Sequence, residues 1–375
     1  MIKKPFNILY ISSFGDFWGG GQVSLFNLVK NLDTSIFKPH VCLPAKGSLA
    51  NRLQEHDIDV SIVELPNIVV FKVYRNLKAL YNLLMLTKKY NINLIHTDGP
   101  RNTFYAGLVG KINKLPLVWH VRAYGSDKYD RILVHLSSML ILVADSLRSR
   151  FSWIESDKKL VTIYNGVDLS EFRRKIEPFY IRRKFSINED SLLISSIGRL
   201  EPLKGQKYLI EACGMIKEKL RDFRLLIVGE IVDSIYHQKC KEVASDFGIQ
   251  NRVIFSGHLT DINQILNETD IFVLPSLSEG FSRSLIEAMG ASKPVVATNV
   301  GGNSEAFIDN VSGLIVPPKN IGLLSEKIHF LAQDKNARTK MGDEARKMVE
   351  KKFSIERNVR KTEKVYLDII NKYAS

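Results

Sequence analysis

No apolar run in this 375-residue chain approaches the roughly 18 residues needed to span a bilayer. The nearest, Met139 to Ala144 with Ile132-Leu133-Val134 ahead of it, is broken by His135, Ser137 and Ser138, which excludes an integral membrane protein of helical spans. The beginning, Met1-Ile2-Lys3-Lys4-Pro5-Phe6, has neither the long apolar core nor the small-residue cleavage site of a secretory signal, so the cytoplasm is the expected compartment. Cysteine is scarce. Cys42, Cys213 and Cys240 stand apart, without the spacing of a zinc site, a redox pair or a disulfide frame, and read as packing residues. The nearest approach to a metal-ligand pair is Asp57-Ile58-Asp59, which sits at the amino end of a strand pattern, whereas open parallel sheets hold ligands at carboxyl ends. No metal is expected. The dinucleotide fingerprint is missing too, because Gly19-Gly20-Gly21 lacks its spacing.

What is present is a soluble composition, 45% hydrophobic, with a net charge of +13 from 53 Lys and Arg against 40 Asp and Glu. Such a charge attracts phosphorylated ligands, anionic lipid or nucleic acid. The basic residues are spread along the chain with no nucleic-acid module beside them, so nucleic acid is not an expected partner.

The length fits two domains, and the patterning agrees. Phe6 to Ile11 is a strand pattern followed by a glycine loop and a helix pattern through Val23, Leu25, Phe26, Leu28, Val29 and Leu32. Further strand patterns lie at Pro39 to Leu43, Val60 to Val63, Leu94 to His96, Leu117 to Val121 and Leu140 to Val143, with helix-like segments between them. Val161 to Asp168 gives a strand and a turn, and the basic stretch Arg173 to Lys184 reads as a linker. The alternation then restarts at Leu192 to Ile197, Phe223 to Val228, Val253 to Phe255, Ile271 to Leu274, Pro294 to Ala297 and Gly313 to Val316. This predicts α/β architecture, two Rossmann-like doubly wound parallel-sheet domains facing across a cleft. The expected domains are 1–173 together with a crossover helix at 353–375, and 174–352.

The most informative stretch is Ser278 to Met289, where a buried strand pattern runs into a loop and a helix start. Unpaired amides and the helix dipole favour a phosphate there. Glu279 and Glu287 bracket the turn, suited to hydroxyls at the two ends of a sugar nucleotide. A capping box, Ser284 with Glu287, accounts for part of the same stretch without any ligand. Arg199 and Lys204 follow another strand and are placed to hold a diphosphate by charge-assisted bonds, or to be a solvated basic pair. In the first half, the strand ends carry His96-Thr97-Asp98-Gly99, His120-Val121-Arg122 and Ala144-Asp145-Ser146; of these His120 is favoured as functional.

Several motifs in order, Gly19-Gly20-Gly21, His120, Asn165-Gly166-Val167-Asp168, Gly198-Arg199 with Lys204-Gly205, Val228-Gly229, Phe255-Ser256-Gly257, Glu279 to Glu287 and Gly301-Gly302 with Glu305, resemble the retaining GT-B glycosyltransferases of family 4 over essentially the whole length. The resemblance implies that Arg199 and Lys204 bind the donor diphosphate, Glu287 the ribose and Glu279 hydroxyls of the transferred sugar. It implies donor contacts from the backbone of Gly280, Phe281, Ser282, Arg283, Ser284 and Leu285 and from Gly229, base contacts from main chain near Gly257 and His258, and His120 beside the sugar. The loop Gly19 to Gly21 would come from the other domain, close to the reacting centre and acceptor, with Gly20 and Gly21 among the donor-binding residues. Glu279, His120, Arg199 and Lys204 are the expected catalytic set. Ser282-Arg283-Ser284 departs from many relatives, with Arg283 turned to solvent or adding a donor contact.

The implied reaction moves a hexose-type sugar from a nucleotide diphosphate sugar to a glycan or lipid-linked acceptor, with no cofactor and no metal. A nucleotide-sugar 2-epimerase or phosphorylase on the same fold, and a non-catalytic sugar-nucleotide or glycan-binding subunit, are the alternatives. The segment Phe353 to Ile370 is an amphipathic helix pattern that in the family packs back on the first domain. Tyr74 to Tyr81, with Leu83, Leu84, Lys88 and Lys89, reads as an ordinary packed helix with a charged outer face, or as a basic amphipathic helix on the inner face of an anionic membrane.

Overall fold

The computed structural model describes residues 5–17, 19–67, 73–154, 157–174, 176–220 and 222–374. The chain divides into two compact units, Met1–Gly166 with Ile355–Ser375, and Val167–Ser354. The expected divisions at 173 and 353 lie a few residues from these.

In the first unit seven strands form one sheet: β1 Phe6–Ile11, β2 Phe37–Leu43, β3 Asp59–Ile62, β4 Leu94–Thr97, β5 Leu117–Val121, β6 Met139–Leu142 and β7 Leu160–Thr162. Their order is β3-β2-β1-β4-β5-β6-β7, with every pairing parallel. Every residue of β4 and β5 is buried, as a sheet covered on both faces requires, and this is why these strands read as apolar runs rather than alternations. β2 starts two residues earlier than its pattern suggested and runs through Pro39; its ladder to β3 begins only at His40. The glycine run is not a loop throughout. The helix Gly20–Lys30 begins inside it, so Gly20 and Gly21 form its first turn, while Trp18 lies outside the described residues.

The terminal helix Ile355–Ala374 belongs to this unit. Ile355, Val359, Val365, Tyr366, Ile369 and Ile370 enter the same core as Ile8, Tyr10, Phe37 and Val41 of the sheet. Its amphipathic pattern is therefore a packing pattern.

The second unit repeats the plan with six strands: β8 Leu192–Ile197, β9 Phe223–Val228, β10 Val253–Gly257, β11 Ile271–Leu274, β12 Val295–Thr298 and β13 Leu314–Val316. The order is β10-β9-β8-β11-β12-β13, again all parallel. Pro294 and Gly313, expected inside strands, stand just before β12 and β13. In each sheet the chain reverses direction of growth at one place, between β1 and β4 and between β8 and β11. Ligand crevices in doubly wound sheets open at the carboxyl ends of the strands flanking that reversal. The connections that follow β1 and β4 carry Gly19 and Asp98, with Arg122 after the neighbouring β5, and those that follow β8 and β11 carry Arg199, Lys204 and Glu279.

Candidate functional site

Two loops of the second unit are locked against each other beside its sheet reversal. The turn after β8 ends at Gly205, whose φ of +69° and whose position leave no room for a side chain: a Cβ there would come 2.1 Å from the Pro275 carbonyl oxygen at the end of β11. The Leu277 amide donates to the Leu203 carbonyl at 2.8 Å, closing the same contact. Lys204 is thereby carried over the backbone of Gly198 and reaches Glu279, with Nζ 2.7 Å from Oε1. Ser276 Oγ donates to the same Oε1 at 2.7 Å. Glu279 Oε2 has no partner among the described residues. The Lys204 side chain is 22% exposed and that of Glu279 9%, so the pair is largely withdrawn from water but open to a ligand.

Glu279 is held from behind by its backbone. Gly301 has φ +52°, and a Cβ on it would meet the Glu279 carbonyl oxygen at 1.8 Å; the next amide, Gly302, donates to the Gly280 carbonyl at 2.8 Å. The Gly301-Gly302 motif therefore shapes the Glu279 turn. Gly229 and Gly257, at the ends of β9 and β10, are joined by a 2.9 Å amide-to-carbonyl bond, and His258 beyond them is exposed.

Arg199 and Lys204 do not converge as side chains. The Arg199 guanidinium is 56% exposed and pairs with Glu201 at 2.8 Å, while its carbonyl accepts from Gln206 Nε2 at 2.8 Å. The capping-box expectation is corrected as well. The helix Arg283–Gly290 is capped by Ser282, whose Oγ accepts from the Leu285 amide, and Glu287 takes no part. Glu287 instead receives Arg283 one turn away, Nη2 to Oε1 at 2.8 Å. Arg283 is accordingly not turned to solvent: its side chain is 9% exposed. Ser284 Oγ stands 3.2 Å from Ser282 Oγ. Phe281 and Leu285 are buried, and the Phe281 ring packs at a tilt against Phe353, so these two can offer a ligand only main chain, with the Leu285 amide already engaged.

In the first unit, His120 lies at the end of β5 in a buried polar cluster. Its Nδ1 is 3.3 Å from His96 Nε2 and 3.2 Å from an Arg122 guanidinium nitrogen; Arg122 also donates to Asn165 Oδ1 at 3.2 Å, which accepts from Ser24 Oγ at 3.3 Å. Burial, reinforced by the Arg122 charge, pushes the His120 ring well below the usual histidine range and His96 to about 3. Gly21 faces this cluster, 3.8 Å from the Arg122 side chain at the position its Cβ would take. Asp98, after β4, accepts from Ser13 Oγ at 3.1 Å and Asn102 Nδ2 at 3.3 Å, and burial raises its carboxyl above the ordinary range.

Two doubly wound parallel sheets, with an ion-paired turn at the reversal of the second, place the chain in the GT-B class of glycosyltransferases. The pattern of "Glycosyl transferases group 1" matches residues 179–348 and that of "Glycosyltransferase Family 4" residues 18–171, together spanning most of both units; the chain belongs to glycosyltransferase family 4. It is 26% identical over 316 residues to the Escherichia coli UDP-Gal:alpha-D-GlcNAc-diphosphoundecaprenol alpha-1,3-galactosyltransferase, covering 79% of this chain and 80% of that one. It is also 26% identical over 360 residues to the capsular polysaccharide biosynthesis glycosyltransferase CapM of Staphylococcus aureus, 89% of each chain. Among solved structures, HepE of Anabaena in complex with UDP superposes with a TM-score of 0.84 at 22% identity, over 97% of this chain and 100% of that one. A glycosyltransferase from Rickettsia africae gives 0.87 at 24%, over 98% and 99%. The chain is thus a glycosyltransferase related to enzymes of polysaccharide and glycolipid biosynthesis.

Sequence reasoning missed Ser276, which shares the Glu279 oxygen, and Tyr366, whose hydroxyl lies 2.7 Å from His96 Nδ1. Neither has a local signal: Ser276 looks like any polar residue closing a strand, and Tyr366 falls on the buried stripe of an amphipathic helix.

Proposed function

We propose that the chain moves a hexose-type sugar from a nucleotide diphosphate sugar to a glycan or lipid-linked acceptor of cell-surface polysaccharide or glycolipid biosynthesis, with retention at the anomeric carbon and without a metal ion. The observation that carries this reading is the Lys204–Glu279 pair, a cation and a carboxylate side by side at the sheet reversal. A leaving diphosphate calls for the cation and sugar hydroxyls for the carboxylate, whose Oε2 is open to accept from them. The Escherichia coli relative is named for a UDP-galactose donor and a lipid-linked diphosphate acceptor, and HepE was solved with UDP and with UDP-glucose, which favours a uridine nucleotide here.

In the proposed step the acceptor oxygen bonds to the anomeric carbon as the bond from that carbon to the diphosphate oxygen breaks. The electron pair leaves with the diphosphate, and the acceptor's hydroxyl proton passes to it on the same face. Positive charge grows on the sugar and negative charge on the leaving group. Lys204, Arg199 and the main chain at the start of Arg283–Gly290 would stabilise the latter, the larger electrostatic contribution. Arg199, whose side chain is 56% exposed, must exchange Glu201 for phosphate. Glu287 is assigned to the ribose, Gly229 to the donor, the main chain near Gly257 and His258 to the base, and His120 to the sugar. Because Lys204 and Arg199 supply the charge, turnover is expected to survive a chelator. A panel of nucleotide diphosphate sugars tests the reading: the bound donor should raise the melting temperature, and nucleoside diphosphate should appear with acceptor, in EDTA as without it, with product of unchanged anomeric configuration. If no donor shifts melting or is consumed, the reading fails. An isomerised donor formed without acceptor would show an epimerase.

We further propose that the protein works at the inner face of an anionic membrane, attached peripherally through the helix Val73–Lys89. Ala79, Leu83, Leu86 and Thr87 of this helix are buried, and its outer face carries the charges of Arg75, Lys78, Lys88 and Lys89 that the ordinary reading expected, but not charge alone. Tyr74, Leu77, Tyr81 and Met85 are exposed along one stripe, flanked by exposed Lys78, Lys88 and Lys89, with no acidic residue in the helix. Apolar and aromatic groups beside lysines suit the headgroup boundary of anionic lipid. The protein should sediment with phosphatidylglycerol vesicles at low salt, less so in high salt, and the double variant Leu77→Glu, Tyr81→Glu should stay in the supernatant. Absence of sedimentation at low salt would end this proposal.

A further inference from the structure

His120 is the inner end of a line of polar side chains that starts on the terminal helix. The Tyr366 hydroxyl is 2.7 Å from His96 Nδ1, His96 Nε2 is 3.3 Å from His120 Nδ1, and an Arg122 guanidinium nitrogen is 3.2 Å from that same Nδ1. All four side chains belong to the first unit. A guanidinium has only protons to offer, so His120 Nδ1 must be the acceptor and carry none. To bond the same atom His96 must donate from Nε2, which leaves its own Nδ1 to accept from the Tyr366 hydroxyl. A single placement of protons satisfies all three contacts, and it puts the His120 proton on Nε2. That nitrogen is buried and has no partner among the described residues, an exception to the rule that buried polar groups are hydrogen-bonded. Two donors are thus directed at the Nδ1 edge of the ring while the Nε2 edge is left with an unspent N–H. Burial and the neighbouring guanidinium keep both rings neutral at physiological pH, which is the state this placement requires.

We propose that Tyr366 and His96, together with Arg122, are positioning residues that fix His120 as one neutral tautomer and present its Nε2–H as a preoriented donor to an oxygen of the bound sugar. The proposal rests on the assignment of His120 to the sugar made above. A network that only stabilised the fold would have no reason to leave Nε2 unpaired; a network that prepares a donor must leave it so. The terminal helix then does more than cover the sheet, since it supplies the hydroxyl that satisfies His96 at the far end of the line whose direction Arg122 sets.

Two measurements test this. Long-range nitrogen–proton correlation spectra of the histidine-labelled full chain, with the His120 signal assigned by loss in His120→Asn, should show Nε2 protonated and Nδ1 bare at neutral pH. A His120 ring protonated on Nδ1, or on both nitrogens, overturns the proposal whether or not transfer activity is found. In a transfer assay, His96→Phe should lower kcat about tenfold with the donor KM little changed, since a hydrogen bond oriented for the transition state is worth about that factor. His96→Gln, which keeps a side-chain N–H, should recover most of the loss, and Tyr366→Phe should lower kcat in the same direction. Wild-type kcat in both His96→Phe and Tyr366→Phe, with melting temperatures showing them folded, would reduce the network to a structural one and refute the positioning role. If the wild-type chain transfers no sugar while its His120 tautomer is the one expected, the functional reading fails and the proton placement stands.

Discussion

Replacing Lys204 with alanine is expected to lower kcat/KM for sugar transfer by about two to three orders of magnitude, the range found when one preorganised electrostatic contact to a developing charge is removed. Glu279→Gln is expected to act on the same scale and is the cleaner of the two. Glutamine keeps the shape and can still accept from Ser276 Oγ, so the turn behind it, fixed by Gly301 and Gly302, has no cause to move. Lys204→Ala, by contrast, leaves a nearly buried carboxylate with Ser276 as its remaining donor and should also cost some stability. Because the two side chains are in direct contact, their effects should not add: the double variant is expected to lose little more than the worse single one. Arg199→Ala belongs to the same group; the Arg199 side chain is 56% exposed but its partner Glu201 only 17%, so a melting temperature must accompany the turnover measurement. Near-wild-type transfer in folded Glu279→Gln or Lys204→Ala would place the donor elsewhere.

Ending the chain at Ser354 is expected to prevent the first unit from folding. The helix Ile355–Ala374 contributes Ile355, Val359, Val365, Tyr366, Ile369 and Ile370 to the core that includes β1 and β2. Burying a large apolar side chain stabilises by about 1.5–3 kcal/mol, so these six together represent roughly 10 kcal/mol or more. That equals the whole net stability of an ordinary domain, about 5–15 kcal/mol. It also removes the hydroxyl beside His96, leaving a buried ring nitrogen without its donor. Hydrogen exchange resolves the outcome by unit: amides of β1, β2 and β4 should exchange at the rate of unfolded chain, whereas those of β8, β9 and β11 should keep protection from their own sheet. Protected amides in β1 and β2 of the truncated chain would show that the helix is dispensable cover.

Both results bear on how the site was legible. Lys204 and Glu279 were each picked out by position, one after a strand pattern and one before a helix pattern, because a doubly wound sheet exposes those loops at one edge. Their contact was not foreseen. They are 75 residues apart, and the sequence assigned them to separate parts of a donor; the structure shows one bonded to the other, so a donor would meet a preformed pair. The capping box failed for a similar reason. Ser284 and Glu287 have the right spacing, but the chain entered the helix two residues sooner, and Ser282 took the role while Glu287 turned to Arg283.

What the sequence determined by itself was the architecture and the family, and with them the loops proposed to carry chemistry. Buried parallel strands must be continuous apolar runs, and the amphipathic terminal helix must find a core, so these features are written locally and survive in any surroundings. Only the tertiary structure decided which charges meet and which protons are fixed. Ser276 joined Lys204 on a single carboxylate oxygen, and Tyr366 came to His96 from 270 residues away. The apolar outer stripe of Val73–Lys89 emerged in the same way, once packing had chosen which face of the helix to bury. Hydrogen bonds and ion pairs act over a few ångströms between groups with no shared period in the chain, so their partners exist only after the sheets have formed.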